Sequence, residues 1–101
     1  MRLLMQLTFP LEPFNSYAKD GSAGARIAKA MEAIKPEAAY FTEQDGNRGA
    51  VIIVNVEKDS DIPKIAEPFF LGFNANVQMR ICMKPEDLAA SGLDELGKQW
   101  A

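Results

Sequence analysis

Two groups of side chains in this chain have the chemistry to bind a small polar molecule. Asn15 and Tyr17 lie just before the helix predicted over residues 22–35, in a stretch that also carries two glycines and a lysine. A helix N-terminus with such neighbours can hold an anion, because its free N–H groups and its dipole favour negative charge. Arg26 on that helix and Tyr40 on a predicted strand can together bind and polarise a carbonyl or a carboxylate.

Each group also has a simpler structural interpretation. The first fits an ordinary helix N-cap at Ser22 with a flexible lead-in, and its spacing matches neither a phosphate-binding loop nor a dinucleotide fingerprint. Arg26 then is a solvated surface residue, and Tyr40 packs at a sheet edge. Asn15 and Asn74 each follow a phenylalanine near a strand end, where a pocket between sheet and helices can open. Asparagine in such places is usually a cap or a turn former.

The composition narrows the chemistry further, since the chain has no histidine and a single cysteine, Cys82. The missing histidines remove imidazole bases, histidine metal ligands and histidine-ligated haem. Any general base must then be a carboxylate, a lysine, a tyrosinate or the substrate itself. We expect no metal and no cofactor. Cys82 has no partner for an intramolecular disulfide, and its apolar sequence neighbours indicate a small buried core residue.

The charge pattern bears on the partners and on the location of the protein. Eleven basic and fourteen acidic residues give a net charge of −3, and no cluster of basic residues occurs, so we expect no nucleic-acid partner. No apolar stretch approaches the length of a membrane span, and the apolar run at the N-terminus is too short for a signal peptide. With the single cysteine, these features predict a cytoplasmic protein without membrane contact.

Hydrophobic periodicity predicts six main elements in the order β-α-β-β-α-β. Residues 2–9 and 76–83 alternate apolar and polar side chains, and residues 50–56 are apolar on both faces, which is typical of a central strand. The remaining predictions are an irregular stretch or at most a helical turn over 14–21, a helix over 22–35, a strand over 38–43, a hairpin connection over 44–49, a helix from Ile62 to Phe73 kinked or divided at Pro68, a short helix over 85–91 and a last turn over 93–101.

This order of elements is that of the split βαβ, or ferredoxin-like, α+β fold. Right-handed crossovers place both helices on one face of a four-stranded antiparallel sheet, with the first and third strands in the centre. A chain of 101 residues buries enough surface for one core, so we predict a single ferredoxin-like domain over residues 1–101.

The sheet face away from the helices predicts a homodimer. It carries Leu4 and, depending on the register of the third strand, either Val51 and Ile53 or Ile52 and Val54. Such an apolar patch usually marks an interface, so we expect two sheets to pack face to face about a two-fold axis as a dimeric α+β barrel. The alternative is a monomer with a partly apolar open sheet.

Polar side chains on the same face need partners if the face is buried. The structural interpretation is a hydrogen-bond network across the dimer, and the functional one makes the arginine among them an anion anchor in the barrel. These candidate interface residues are Gln6, Thr8, Asn55, Gln78 and Arg80.

Three segments carry a resemblance to a known superfamily: Pro13-Phe14-Asn15 followed by Asp20-Gly21-Ser22-Ala23-Gly24, then Ala66-Glu67-Pro68-Phe69-Phe70, and finally Met83 through Gly97. The chain resembles the dimeric α+β barrel superfamily of ferredoxin-like homodimers, and within it small uncharacterised bacterial proteins. That superfamily includes muconolactone-isomerase-like enzymes, cofactor-free monooxygenases, haem-degrading enzymes and plain stress or binding proteins, and the fold does not choose among them. This chain lacks the histidine that several branches use, so their mechanisms do not carry over.

Two hypotheses follow. The first is a cytoplasmic homodimer that binds a small organic molecule between sheet and helices, or acts on it as a cofactor-independent monooxygenase- or isomerase-like enzyme. Its candidate ligand-binding residues are Asn15, Tyr17, Arg26, Tyr40 and Asn74. The second is a non-catalytic interaction or stress-response module whose functional unit is the dimer. A pocket of at least about 300 Å³ lined by tyrosine and asparagine favours the first hypothesis. A pocket filled by Phe69, Phe70 and Phe73 would refute it.

Overall fold

The first strand shows how the sequence builds a sheet that is covered on one face. In the computed structural model, which describes residues 1–101, the alternate residues from Leu3 to Phe9 are buried and the residues between them are not. The neighbouring strand repeats the pattern with Ala50, Ile52 and Val54. Period-two alternation of this kind puts one set of side chains under the helices and the other on the open side.

The elements form one sheet and a layer of helices. Their bounds are β1 Arg2–Phe9, α1 Leu11–Lys19, α2 Ala23–Ile34, β2 Ala38–Gln44, β3 Asn47–Asn55, a 3₁₀ turn Asp59–Asp61, α3 Ile62–Phe73, β4 Asn76–Ile81, α4 Pro85–Ala89 and α5 Leu93–Gln99. The strands lie in the order β2-β3-β1-β4, and all neighbours are antiparallel. The predicted ferredoxin-like α+β fold is confirmed, with the first and third strands in the centre of the sheet.

The stretch predicted to be irregular is a helix, α1, and long-range packing explains it. Phe14 and Tyr17, three residues apart, both pack on the ring of Phe73 in α3, with centroid distances of 5.6 and 5.7 Å. Glu12 supports the first turn, because its carboxylate accepts a 2.6 Å hydrogen bond from the Ser16 hydroxyl. The contact with Phe73 cannot be read from the local pattern, because Phe73 lies more than fifty residues further along the chain.

The connection between β2 and β3 is shorter than the six residues predicted. Asp45 and Gly46 have φ angles of +53° and +80°, so they form a two-residue hairpin turn of the primed type. The strands therefore extend to Gln44 and from Asn47. Gly49 permits the close packing behind the turn, because a Cβ atom there would lie 2.7 Å from Cβ of Gln44.

Of the kink or division predicted at Pro68, division does not occur, because α3 continues from Ile62 to Phe73 with its apolar side in the core. Two smaller predictions were wrong in detail. Ser22 precedes α2 but makes no side-chain cap bond. Cys82 is half-buried rather than buried.

The last strand, β4, ends earlier than predicted. It ends at Ile81 rather than at residue 83. Val77 and Met79 are its residues that pack against the core. Ile81 and Met83, which were expected to lie under the helices, are therefore exposed.

Arg2 fastens the start of the sheet to two other segments. Its guanidinium donates three hydrogen bonds of 2.7–3.2 Å to the carboxylate of Glu37, just before β2. A second carboxylate, that of Asp87 in α4, lies 3.8 Å from the same guanidinium. The hydrogen bonds between these two side chains lower the pKa of Glu37 and raise the pKa of Arg2.

This ion pair predicts an acid-sensitive contribution to stability. A carboxyl whose folded-state pKa is lowered stabilises the protein above its unfolded pKa of about 4.3, and the contribution is lost as the pH falls through the folded value. In Glu37→Gln, we expect a smaller drop in the unfolding temperature between pH 7 and pH 3 than in the wild type. The matched control is Glu32→Gln, at an exposed glutamate of α2 outside any ion pair. Identical pH curves for wild type and Glu37→Gln would contradict the assignment.

Candidate functional site

A groove runs between the two long helices on the outer side of the helix layer. It has a volume of about 410 Å³, within the usual range for small-molecule sites. Small side chains on α2, Ala30 and Ala33, leave room on one wall, and Gly72 does so on the other. Its lining residues are Arg26, Lys29, Ala30 and Ala33 from α2, with Pro63, Lys64, Glu67, Pro68, Leu71, Gly72 and Phe73 from α3.

Arg26 is held in place beside the groove by a stack on Tyr17. The guanidinium carbon lies 3.9 Å from the centroid of the Tyr17 ring, within the range of a cation–π contact. The Tyr17 hydroxyl donates a 2.8 Å hydrogen bond to the carbonyl of Gly72 in α3, which fixes the ring. Ser22 accepts a bond from Nε of Arg26 at 3.0 Å. The two Nη groups have no hydrogen-bond partner in the chain, so they are available to an anion.

The charges around the groove are mostly positive. Three basic side chains and one acidic side chain, Glu67, line it. Lys64 is paired with Asp61 at 3.3 Å, and hydrogen bonds with Lys64 lower the pKa of that carboxyl. Arg26 and Lys29 form no ion pair. The groove therefore combines an apolar floor with two unpaired cations, a combination that fits an organic anion with an apolar body.

Two of the five predicted ligand-binding residues, Tyr17 and Arg26, come together at this groove. Asn15 does not join them, because its side-chain oxygen accepts a 2.8 Å hydrogen bond from Nη1 of Arg48. Asn74 is the left-handed residue that ends α3, with φ of +53°, as the structural interpretation of that position has it. Tyr40 is exposed on the open face of the edge strand β2.

The five polar residues proposed for the dimer interface do share the open face of the sheet. In the sheet, Leu4 on β1 lies opposite Ile53 on β3 and Arg80 on β4. Of the two registers that the sequence allowed for β3, the observed one therefore puts Val51 and Ile53 on the open face. The same alternation puts Gln6, Thr8, Asn55, Gln78 and Arg80 on this face. Two of them form side-chain hydrogen bonds within the chain. Nε2 of Gln6 donates to Oε1 of Gln44 at 2.7 Å, and Oδ1 of Asn55 accepts a 3.4 Å bond from the N-terminal ammonium.

The space between the sheet and the helices, where the sequence suggested a pocket, is filled by aromatic rings. Phe9, Phe69 and Phe73 are buried there, and Phe14 packs against them. The groove found instead lies one layer further out, between the helices themselves. Lys29 and Gly72 were not singled out from the sequence. The only signal for the groove was the pair of small residues three positions apart, Ala30 and Ala33, on the helix that carries Arg26.

No helix of the structure has both the length and the apolar character required to cross a bilayer. No family model matches the chain, and no curated protein matches it.

A search of solved structures finds the same fold elsewhere. One match is 5-chloro-2-hydroxyhydroquinone dehydrochlorinase (TftG) from Burkholderia phenoliruptrix AC1100 in complex with 2,5-dihydroxybenzoquinone. It covers 86% of this chain and 98% of its own, at 15% identity and a TM-score of 0.60. Another is the de novo designed protein Ferredog-Diesel, which covers 80% of this chain and 85% of its own, at 8% identity and a TM-score of 0.46. The resemblance found in the sequence is thus confirmed at the level of the fold, and the chain has a ferredoxin-like α+β fold that it shares with the dehydrochlorinase.

Proposed function

We propose that this protein is a homodimer that binds a small organic anion in the groove between α2 and α3. The observation that carries the proposal is the Arg26 guanidinium, stacked on Tyr17 at 3.9 Å with both Nη groups unpaired beside an apolar groove. A bound carboxylate or sulfonate accepts two hydrogen bonds from such a group. The ligand is still a small organic molecule, as expected from the sequence. Its proposed site is the groove between α2 and α3 instead of the space between sheet and helices, which aromatic rings fill.

The fold supports a small organic ligand. One solved structure with this fold is a dehydrochlorinase holding 2,5-dihydroxybenzoquinone, a small ring that carries several oxygen atoms. At 15% identity this likeness concerns the fold, and the proposed ligand rests on the groove of this chain. A single cysteine needs no oxidising compartment, which supports a cytoplasmic location as part of the proposal.

The open face of the sheet supports the dimer. Leu4, Val51 and Ile53 lie side by side on its central strands and are only half-buried in the single chain. Arg80 beside them forms no ion pair within the chain. Face-to-face packing with a second sheet covers the apolar centre and gives the surrounding polar groups hydrogen-bond partners.

The ligand proposal is tested with 8-anilinonaphthalene-1-sulfonate, an aromatic sulfonate whose fluorescence rises in apolar sites. We expect it to bind the wild type and to bind Arg26→Gln roughly tenfold more weakly, because a charge-assisted hydrogen bond contributes about 1.5 kcal/mol. Ala33→Phe fills the groove without changing its charge and should abolish this binding, since Ala33 lines the groove and is exposed.

Lys19→Gln is the matched control, because it removes one positive charge from the exposed end of α1, outside the groove. Its affinity for the sulfonate should equal that of the wild type. Equal affinities for the wild type, Arg26→Gln and Ala33→Phe would place the probe elsewhere and refute the groove as the binding site.

One observation favours the second candidate function, a non-catalytic interaction module. The last nineteen residues carry several large apolar side chains, and every one of these residues is exposed in the single chain. Exposed apolar surface of this kind marks a contact with another polypeptide.

A further inference from the structure

The end of the chain projects away from the rest of the fold. Residues 83–101, called the C-terminal arm from here on, are all exposed. The radius of gyration is 16.9 Å and the molecule extends 59 × 29 × 18 Å. A folded domain of this length has a radius of gyration of about 13 Å. The arm therefore gains almost none of its stability from contact with the body of its own chain.

The arm nevertheless has a defined conformation, set by hydrogen bonds at its base and by the turn between its two helices. At its base, Asp87 accepts a 3.1 Å hydrogen bond from the backbone N–H of Lys84, and it lies 3.8 Å from Arg2 on β1. Between the two short helices, Gly92 has φ of +76°, a conformation that a side chain strains. The caps and the turn fix the direction in which α5 leaves the body, and ordering it this way costs conformational entropy.

The second helix of the arm has one apolar side. Leu93, Leu96 and Trp100 are spaced three and four residues apart, so they form a stripe along α5 that ends at its C-cap residue, Trp100. Trp100 is 79% exposed, and Leu88 on the preceding helix is exposed as well. A seven-residue helix is too short to be stable in water by itself, so this stripe needs a surface to pack on.

We propose that the C-terminal arm packs on a second copy of this chain, each protomer of the homodimer giving one arm to the other. This inference rests on the proposed dimer and adds a second contact to it. Alternate strand residues point to the open face, roughly 15 in all. Stable interfaces contain about 20–30 residues per partner, so this face alone is smaller than such an interface.

The arm supplies the missing area from the same molecule. A tryptophan alone buries about 150–250 Å², and the leucines of the stripe add to it. In a two-fold dimer each arm contact occurs twice, so both stripes are covered at once. A second copy is also the one partner whose concentration always matches that of the arm.

Trp100 is the only tryptophan of the chain, so its fluorescence reports directly on the arm. We expect emission at short wavelength in the dimer and a shift to longer wavelength on dilution, in step with dissociation measured by sedimentation. Short-wavelength emission that persists in the dissociated monomer shows the arm folded on its own chain and overturns the proposal. Long-wavelength emission in the dimer overturns it as well, since the arm is then free.

The variant Leu93→Ser/Leu96→Ser tests the energetic role of the stripe. We expect it to raise the dimer dissociation constant at least about 100-fold, because four buried leucines are lost per dimer. Leu11→Ser, at an exposed leucine of α1, is the control and should leave the constant unchanged. A wild-type dissociation constant in the double variant contradicts the arm proposal.

The sheet-face dimer is tested separately with Ile53→Lys, which leaves the arm intact. Loss of the dimer in Ile53→Lys together with a wild-type constant in Leu93→Ser/Leu96→Ser means that the dimer exists and the arm proposal is wrong. A dimer that survives Ile53→Lys but not the arm variant means that the sheet-face proposal is wrong and the arms alone join the chains.

Discussion

Replacing Phe9 by alanine is expected to lower the free energy of unfolding by about 3–5 kcal/mol, the usual cost of removing a buried phenylalanine. Phe9 is 1% exposed and lies at the end of β1 in the aromatic part of the core, with edge-to-face contacts to Phe14 and Phe73 at centroid distances of 5.4 Å. The cost combines the lost transfer free energy with the cavity left between sheet and helices, and aromatic pairs add to it.

The measurement is urea unfolding at a fixed protein concentration, since association adds to the apparent stability. Phe9→Leu keeps most of the side-chain volume and provides a folded variant if Phe9→Ala does not fold; its loss should be smaller. Phe41→Ala is the matched control, because Phe41 on β2 is half exposed. If Phe9→Ala lowers the free energy of unfolding no more than Phe41→Ala does, the burial of Phe9 in the core is contradicted.

This core could be predicted from the sequence because strand periodicity is a local signal. Met5, Leu7 and Phe9 alternate with the polar Gln6 and Thr8, and all three apolar residues are buried as expected. Once four strands and two helices were placed in order, the handedness of crossovers left one sheet topology to consider. The register of β3 could not be predicted, because Val51 and Ile52 are both apolar and either could face the helices.

Two of the wrong predictions concern contacts with residues distant in the sequence. The helix α1 packs through Phe14 and Tyr17 on Phe73, more than fifty residues away. The strand β4 ends at Ile81, just past Val77 and Met79, its residues that pack on the core. In both cases the local sequence permits two conformations, and tertiary packing selects one of them.

Two residues of the candidate site could be predicted from the sequence, but the place where they meet could not. Arg26 and Tyr17 were selected because of their chemistry, and the structure brings them together at 3.9 Å. Their common position depends on the bond from Tyr17 to Gly72, which joins α1 to α3 across 55 positions of the chain. The gap between α2 and α3 depends on how two helices cross, and side-chain spacing within one helix does not contain that information.

The second large effect concerns the proposed dimer, which we expect Ile53→Lys to abolish. Ile53 lies on the central strand β3 between Leu4 on β1 and Ala38 on β2, in the apolar middle of the open face. A lysine there keeps its ammonium in water in the monomer, but packing against a second sheet would bury two unpaired charges. We expect the dissociation constant to rise more than 100-fold, and light scattering in dilute buffer to give the mass of one chain.

The loss of the dimer should depend on where the new lysine lies, since a lysine outside the open face does not disturb the interface. Leu11→Lys places the same charge at an exposed leucine of α1 and should remain dimeric. Arg80→Glu tests the polar rim of the open face, since Arg80 lies opposite Leu4 and has no ion-pair partner in its own chain. If Arg80 bonds across the interface, this variant weakens the dimer about tenfold, and unchanged affinity removes it from the network. Two results would refute the sheet-face interface: a wild type with the mass of a single chain, or an Ile53→Lys variant that remains dimeric. Neither result is compatible with the buried apolar centre that this interface requires.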